Sequence, residues 1–441
     1  MIAMDKPPRA KGLSVDMSIR DRLLQVIYRI DQDSEMKISF EFPFTVEEHE
    51  SVMSTFGLWA GIFLGQLCLA QEIELHFPIA EGMVEDLEPV ISGLYDVRCY
   101  REGMPLVQLP TIRADVVASA PHARELHFNK RACVLWSGGT DSTLALRLLL
   151  SNGYEAIPVH PSVNVDVAEI ERDAVGSLAD QLQLSVHHVK LDFPDFVPIA
   201  TRYSRTIARP PHENSIPHGR ELLVVPPALV IADRANATSV CLGHEHEVWT
   251  ARVTYQGKSI WRWDTQSEAM TAVLDGFVSK YLHSPIRIFS PVATFTDFRK
   301  FSILLREYPD LLSNISSCYW DRWCGECTKC VRYYLYQRAL GESLISFQHD
   351  PVKERNPYLE SYVYSWQDRD LTYWADLQYA LYTMVQKEVT GLEPLLQDYK
   401  DAVYPVIAQE MPAIREKVLG IHPAKLLPQD WDSSLMKRIG P

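Results

Sequence analysis

A short polar segment near residue 140 combines hydroxyl, carboxylate and glycine residues at a spacing suited to binding phosphate. Its members are Ser137, Gly138, Gly139, Thr140, Asp141 and Ser142. An apolar run ending at Trp136 precedes it and a leucine- and alanine-rich run follows, which predicts a buried strand, a tight loop and a helix. Paired glycines let the backbone approach an oxyanion closely, and the first amides of a helix have no acceptor within the helix. The serine hydroxyls can donate further hydrogen bonds, and Asp141 can cap the helix or help to hold a metal ion on the phosphates.

Four of the eight cysteines are concentrated in a second segment that could do chemistry. They are Cys318, Cys324, Cys327 and Cys330. Two overlapping Cys-x-x-Cys units can surround a soft cation, and four thiolates make a closed tetrahedral zinc site with no free position for water. We therefore predict a structural Zn²⁺ site that ties the C-terminal part of the chain to the fold. An iron–sulfur cluster is the main alternative, and a redox dithiol is a weaker one.

Strand and helix patterns alternate from about residue 130 to 290, which predicts a doubly wound α/β fold with a parallel sheet. Beyond the loop, strands are predicted at 156–160, 185–191 and 239–242, and helices at 167–182 and 226–237. Ligands of such sheets bind beyond the carboxyl ends of the strands. His160 and Gly243 fall at these ends, and we predict that they contribute to the site. For His160 a place in the hydrophobic core is the structural alternative.

The first 125 residues are predicted to form a separate, small α+β domain. Polar and apolar residues alternate at 37–44, as in a half-buried strand. A helix, a strand, a helix and a strand are predicted after it, at 46–71, 73–78, 84–95 and 97–101. We expect this domain to serve in docking, in dimerisation or as a cover for the active site. The catalytic domain is predicted at 126–345, and a helical extension rich in aromatic residues at 346–441.

The composition narrows the class of protein. With 441 residues, 46% apolar and 23% charged, the chain is expected to be a soluble globular protein of two or three domains. Its net charge of -14 argues against a nucleic-acid partner held by phosphate contacts. The most apolar window, 57–70, is too short to span a bilayer, and the start of the chain has no apolar signal segment. We predict a cytoplasmic, reduced homodimer without membrane contact.

The segment 137–142 resembles the SGGxDS signature of the PP-loop ATP pyrophosphatases. These enzymes have a HUP-like α/β fold and split ATP into AMP and pyrophosphate while they adenylate a substrate. The loop followed by a four-cysteine cluster resembles the QueC family of cyano-deazaguanine synthases in queuosine-precursor biosynthesis. Three further stretches are similar to that family, at 216–221, 264–270 and 290–292. The resemblance covers about 130–345. The chain departs from the family in the shorter spacing between the first two cysteines of the cluster and at Glu221, where the family has asparagine.

The resemblance implies a set of ligands and roles. ATP would bind at Trp136, the 137–142 loop, His160 and Gly243, with its phosphates on the loop and its base near His160. Mg²⁺ would bridge the phosphates and carboxylate ligands. A cation must hold the two anions, ATP and the substrate carboxylate, together. Arg220 is the leading candidate for this cation, and Lys190 and Arg252 are the next candidates. Asp264 and Glu268 would contact the substrate. The structural alternatives are an ion pair for Arg220 and a solvated helix face for the two acids; His244, Glu245 and His246 could bind metal or lie on a surface loop.

The implied function is ATP-dependent adenylation of a carboxylate on a carboxy-deazaguanine. Amide or nitrile formation would follow, or conjugation to a partner protein, as in the longer QueC-like proteins of antiphage operons such as type IV CBASS and Qat. The stretch from 266 to 330 also resembles MurL, an ATP-dependent epimerase of the terminal glutamate of a UDP-muramoyl-dipeptide. A nucleotide-binding docking module is the non-enzymatic alternative. A tRNA thiolase, which would use Cys241, fits the acidic composition poorly.

Overall fold

The computed structural model describes residues 8–31, 33–46, 50–118, 129–162, 168–204, 219–263, 265–282, 286–318, 320–369 and 371–432. A ten-stranded sheet with helices on both faces dominates this part of the chain. The predicted α/β class is thereby confirmed. No helix in these ranges is long and apolar enough to cross a membrane.

The strands are, in chain order, β1 (Gly12–Arg20), β2 (Leu23–Ile30), β3 (Met36–Glu41), β4 (Glu72–Leu75), β5 (Ile79–Ala80), β6 (Thr111–Arg113), β7 (Val116–Val117), β8 (Arg131–Leu135), β9 (Glu155–Ser162), β10 (His187–Asp192), β11 (Ser239–Cys241), β12 (Arg252–Tyr255), β13 (Lys258–Trp261) and β14 (Arg287–Phe289). The α-helices are α1 (Glu50–Cys68), α2 (Met83–Glu102), α3 (Thr140–Ser151), α4 (Ala168–Leu182), α5 (Phe196–Tyr203), α6 (Glu221–Arg234), α7 (His246–Thr250), α8 (Glu268–Tyr281), α9 (Asp297–Glu307), α10 (Thr328–Leu340), α11 (Pro357–Tyr364), α12 (Trp374–Gln386), α13 (Glu393–Ala402), α14 (Tyr404–Ile407) and α15 (Met411–Leu419). Short 3₁₀ turns lie at Pro291–Thr294, Pro309–Leu311 and Ser365–Gln367.

The main sheet has the strand order β14-β11-β8-β9-β10-β3-β2-β1-β4-β6. The first five of these strands are parallel, as predicted, and β8 lies at their centre. At β10 the sheet continues into the N-terminal strands, because β3 pairs antiparallel with β10. The N-terminal strands therefore extend the parallel sheet. The predicted domain boundary near residue 125 lies outside the described residues, and the division stays a prediction.

Successive side chains of the central strands point to opposite faces of the sheet, and each face carries its own hydrophobic core. In β8, Cys133 points to the face covered by α1, α2, α6 and α8. Its neighbours Ala132 and Val134 point to the face covered by α3, α4, α9 and the C-terminal helices. Successive side chains of a strand point to opposite faces, so an uninterrupted apolar run is the pattern expected of a strand buried on both sides. The C-terminal segment thus packs on the same face as the helix that follows the 137–142 loop.

The N-terminal segment differs from the prediction at the end of its second helix and in the strands β1, β2, β5, β6 and β7, which were not predicted. The strand predicted at 97–101 is wrong, because α2 continues to Glu102, and Gly103, with a φ of 64°, caps its C-terminus. Buried residues at Val90, Leu94 and Val97 keep the helical repeat, which therefore continues past the predicted helix end at 95. The hairpin of β1 and β2 was not predicted; its two-residue turn begins at Asp21, which takes a φ of 54°.

Candidate active site

The 137–142 loop joins the carboxyl end of β8 to the first turn of α3. Gly138 has a φ of 73°, and a Cβ built there would lie 3.1 Å from the Cβ of Ala174. Gly139 is the N-cap residue of α3 and has no side chain with which to cap it. The Ser142 hydroxyl accepts a hydrogen bond from the Ser137 amide at 3.3 Å and closes the loop. The local conformation is therefore a strand, a glycine turn and a helix start, which together suit an anion.

Gly243 follows β11 and packs directly against this loop. A Cβ at Gly243 would lie 2.9 Å from the amide nitrogen of Ser142 and 3.1 Å from the carbonyl carbon of Asp141. Both contacts are with backbone, so only a glycine allows the approach. The structure thus brings together two of the positions that the sequence assigned to the nucleotide site.

The segment before the cysteine cluster holds the loop from its other side. The Ser316 amide donates to the Gly138 carbonyl oxygen at 2.9 Å, and the Thr140 amide donates to the Ser317 hydroxyl at 2.8 Å. The hydroxyl groups of Thr140 and Tyr333 are 2.9 Å apart. The position of the loop therefore depends on the chain that leads into Cys318.

A buried lysine lies beside the loop. Lys300, on α9, forms ion pairs with Asp141 and, at 2.5 Å, with Asp297. The Lys300 side chain is 1% exposed, whereas that of Asp141 is 38% exposed. Burial acts to lower the pKa of Lys300, but Asp141 and Asp297 outweigh it and raise this pKa well above its ordinary value. Lys300 is therefore positively charged at neutral pH, and its charge lies buried beside the partly exposed carboxylate of Asp141.

Asp297 fixes Lys300 through further buried partners. Its carboxylate accepts from Arg332 Nε at 2.6 Å and from the Tyr333 hydroxyl at 3.2 Å. Burial acts to raise the pKa of Asp297, but Arg332 and Lys300 lower it to about 2. Asp297 is therefore ionised at neutral pH, and α9 and α10 are joined behind the loop.

A second carboxylate, Glu245, lies near Asp141. Its Oε1 accepts from the Tyr373 hydroxyl at 2.7 Å, and the Tyr373 ring packs under Arg332 at 3.9 Å. Burial and the negative charge of Asp141 raise the pKa of Glu245. Carboxylate oxygens are the ligands that suit a hard divalent cation such as Mg²⁺, whose charge would favour ionised Glu245.

Trp136 and His160 are buried next to the loop and hydrogen-bond to the chain on either side of it. Trp136 is fully buried, and its Nε1 donates to the Thr143 hydroxyl at 3.1 Å. His160 lies within β9, fully buried, with Nδ1 3.0 Å from the Trp136 carbonyl oxygen. Burial lowers the pKa of His160 to about 4, so the ring is neutral and Nδ1 is the donor. Direct contact of His160 with a nucleotide base stays a prediction.

Arg220 lies at the start of α6, next to a buried acidic group. Its Nε is 3.5 Å from Oε1 of Glu221, and its side chain is 45% exposed. Glu221 accepts hydrogen bonds from Thr265 and, at 2.7 Å, from Gln266. Among the described residues Arg220 is paired with Glu221 and not with the loop. Its role toward substrate stays a prediction.

The remaining predicted residues lie apart from the loop network. Asp264 falls outside the described residues. Glu268, in the first turn of α8, accepts from the Lys425 amide at 3.2 Å. Lys190, on β10, is exposed, and Arg252, on β12, is exposed and donates to the Ser259 hydroxyl at 2.9 Å. Cys241 is fully buried, and burial raises its pKa well above the ordinary value, which disfavours a thiolate there.

The four cysteines of the second segment converge on one point. Their sulfur atoms all lie within 4.8 Å of one another, with Sγ–Sγ distances of 3.7 Å for Cys318 and Cys327 and 3.8 Å for Cys324 and Cys330. A tetrahedron with Zn–S bonds of about 2.3 Å has edges of about 3.8 Å. Backbone amides donate to three of these sulfurs, which favours thiolates. The donor set therefore fits Zn²⁺, and the site is closed by protein ligands.

The sequence analysis named Glu245 as a possible metal ligand, but it missed the other residues around Asp141. Lys300 could have been found, since it follows closely on the 290–292 run that had already been singled out. Asp297 lies in the same stretch. No motif in the sequence around Arg332 or Tyr373 indicates a place in the site. These residues reach the loop only because α10 and the chain before α12 pack against it.

Comparison with known proteins agrees with this geometry. Residues 131–340 match the family model described as queuosine biosynthesis protein QueC. A stretch of 67 residues is 39% identical to the 7-cyano-7-deazaguanine synthase of Nautilia profundicola, which amounts to 15% of this chain and 30% of that protein. The match thus spans less than a third of the relative's length. The family match begins at β8 and ends with α10, so it contains both the loop and the cysteine cluster.

Proposed function

We propose that this chain, in which residues 131–340 are a QueC-like PP-loop segment, uses ATP to adenylate a substrate carboxylate with release of pyrophosphate. The observation that carries the proposal is the close contact of three elements. The 137–142 loop, Gly243 and the ion pair of Lys300 with Asp141 meet at the carboxyl ends of the parallel strands. That edge is where sheets of this class bind their ligands.

The loop is suited to the phosphates of ATP. Its glycines and the start of α3 present backbone amides, and Ser137 and Ser142 add hydroxyl donors. Asp141 and Glu245 would hold Mg²⁺, which supplies positive charge on the phosphates when bound. Arg220, at the start of α6, is proposed to contact the substrate, together with Asp264 and Glu268.

Lys300 is proposed to act at the α-phosphate. A carboxylate oxygen attacks the α-phosphorus, the bond to the bridging oxygen breaks, and the electron pair leaves with pyrophosphate. Two anions meet in this step, so a fixed cation stabilises the transition state more than it stabilises the separate reactants. Lys300 is already charged, buried and held by Asp297, so little reorganisation is required.

We further propose that the carboxylate belongs to a deazaguanine, as the name of the relative suggests. The acyl-adenylate would pass its acyl group to an amine, giving an amide or a conjugate with a partner protein, and AMP would leave. Zn²⁺ on the four cysteines would have a structural role, because the segment before Cys318 holds the loop. Homodimerisation stays a prediction.

Pyrophosphate release from ATP tests the proposal. Carboxy-deazaguanine and UDP-muramoyl-dipeptide are offered separately, with wild type, Asp141→Asn and Ser142→Ala. Ser151→Ala, at the far end of α3, is the matched control. We expect stimulation by the deazaguanine, loss in the two loop variants and normal turnover in the control. Stimulation by the peptide precursor alone would replace the deazaguanine with a muramoyl-peptide substrate, and equal rates in all variants would refute the loop assignment.

A further inference from the structure

The chain beyond the QueC-like segment contributes a tyrosine to the network around the 137–142 loop. Tyr373 lies directly before α12, past the end of the 131–340 match. Its hydroxyl donates to Glu245 Oε1 at 2.7 Å, and the centroid of its ring lies 3.9 Å from the guanidinium carbon of Arg332. Both partners belong to the matched segment, and one is acidic while the other is basic. Tyr373 therefore joins two charged residues of the QueC-like segment from outside it.

The backbone of Tyr373 is strained. Its φ of 64° and ψ of 19° lie in the left-handed region, which residues with large side chains rarely adopt. Such conformations persist where surrounding contacts hold them, and they are concentrated at functional sites. The Leu377 amide donates to the Tyr373 carbonyl oxygen at 2.9 Å, so the strained residue also begins α12. The strain and the contacts with Glu245 and Arg332 thus occur at the same residue.

The first turn of α12 is fixed against the helix that carries Lys300. Asp376 is fully buried, and its Oδ1 accepts from the Phe298 amide in the first turn of α9 at 2.8 Å. The rings of Phe298 and Tyr379 meet edge to face, with their centroids 5.2 Å apart. These contacts attach the start of α12 to the start of α9. Tyr373 is therefore held in a defined position relative to Asp297 and Lys300.

Glu245 depends on Tyr373 for its orientation. Within the described ranges, the Tyr373 hydroxyl is the donor to Oε1, and no donor reaches Oε2. Burial and the charge of Asp141 raise the pKa of Glu245, and Lys300 acts against them, so the three charged groups interact. Tyr373 thus occupies one carboxylate oxygen of Glu245 and leaves the other without a protein donor in this part of the chain.

We propose that Tyr373 is a positioning residue of the ATP site, which holds Glu245 in the orientation in which it binds Mg²⁺ together with Asp141. The inference rests on the function proposed above and adds that the chain beyond residue 340 is required for the site. The hydroxyl of Tyr373 acts on Glu245, whereas its ring packs on Arg332. The two contributions can therefore be separated by removing the hydroxyl alone.

Calorimetric titration with α,β-methylene-ATP, which cannot release pyrophosphate, tests the proposal without turnover. Each protein is titrated in Mg²⁺ and again in EDTA, and the ratio of the two Kd values measures how much Mg²⁺ strengthens binding. We expect Tyr373→Phe to reduce this ratio about tenfold, because one hydrogen bond to a charged group is lost. The Kd in EDTA should stay within about twofold of wild type.

Tyr364→Phe is the matched control. The Tyr364 hydroxyl donates to Asp398 at 2.9 Å, and Tyr364 is 56% exposed, so this substitution also removes a tyrosine–carboxylate hydrogen bond. It should leave the Mg²⁺ effect within about twofold of wild type. Urea unfolding of both variants checks that they are folded, which is expected because phenylalanine retains the ring in each case.

A double variant tests whether Tyr373 acts through Glu245. Glu245→Gln should weaken the Mg²⁺ effect, and adding Tyr373→Phe should reduce it no further. The inference is overturned if Tyr373→Phe keeps the wild-type Mg²⁺ effect, if it weakens binding equally in Mg²⁺ and in EDTA, or if the losses of the two substitutions add. A wild type whose binding does not respond to Mg²⁺ would contradict the proposed ATP site itself, and the inference with it.

Discussion

Replacing Gly243 by alanine places a methyl group against the backbone of the 137–142 loop. The new Cβ would lie 2.9 Å from the Ser142 nitrogen and 3.0 Å from the Ser142 Cα. Comfortable contacts of this kind are about 3.5–4.0 Å, so the two segments must separate by roughly 0.5–1 Å. Because both partners are backbone atoms, no side-chain rotation can relieve the contact. The start of α3 must shift relative to β11.

The expected effect on activity is larger than the effect on stability. Overpacking of a well-packed site costs about 1–3 kcal/mol, whereas misplacing reactive groups by about 1 Å can cost about 100-fold in rate. We expect Gly243→Ala to lower the rate of pyrophosphate release by about 100-fold. Urea unfolding should show a loss of only about 1–3 kcal/mol.

A matched glycine provides the control. Gly176, within α4, has no atom within 4 Å of a built Cβ, and alanine is favoured over glycine in a helix by about 1 kcal/mol. Gly176→Ala should therefore be fully active and slightly more stable. If Gly243→Ala releases pyrophosphate as fast as Gly176→Ala, the contact between β11 and the loop does not position the reacting groups, and the reasoning fails.

Three further predictions concern separate parts of the site. Lys300→Gln should abolish pyrophosphate release while the exposed control Lys353→Gln does not; comparable rates in both would contradict the role of Lys300. Cys327→Ser should lose about one Zn²⁺ per chain by metal analysis and unfold at a lower temperature; full zinc retention, or an iron–sulfur absorption band in wild type, would contradict the zinc site. Burial lowers the pKa of His160 from its ordinary 6.5 to about 4, so its contribution to stability is present above pH 6.5 and is lost as pH falls toward 4. His160→Gln should therefore lose less stability than wild type between pH 7 and pH 5 in urea unfolding, and equal losses would contradict the burial of this ring.

The parallel half of the sheet could be predicted because its signals are local. The apolar run of β8, the glycine turn and the α3 pattern are contiguous, so the strand, loop and helix follow from sequence order alone. The helix before β11 was also predicted, although α6 begins at Glu221 and continues through Pro226 and Pro227. The predicted start at 226 is therefore five residues late, because the two prolines, a residue type that favours the first turn, lie in the interior of this helix.

The rest of the site depends on contacts between distant segments. Nothing in the sequence of β3 indicates that it pairs with β10, because an alternating strand specifies its buried face and not its neighbour. Tyr373 and Asp376 lie in an aromatic helical stretch whose pattern predicts only core packing. Their contacts with Glu245 and the Phe298 amide arise when the C-terminal helices pack on the face of the sheet that carries α3.

The central claim is that a substrate carboxylate attacks the α-phosphorus of ATP, and oxygen transfer tests it most directly. Carboxy-deazaguanine labelled with ¹⁸O in its carboxylate is incubated with ATP and the wild-type protein, and the AMP formed is analysed by mass spectrometry. The account predicts AMP that carries one ¹⁸O, because the attacking oxygen stays on phosphorus when the acyl group is transferred. Unlabelled AMP at full turnover, or the formation of ADP in place of AMP and pyrophosphate, would contradict it.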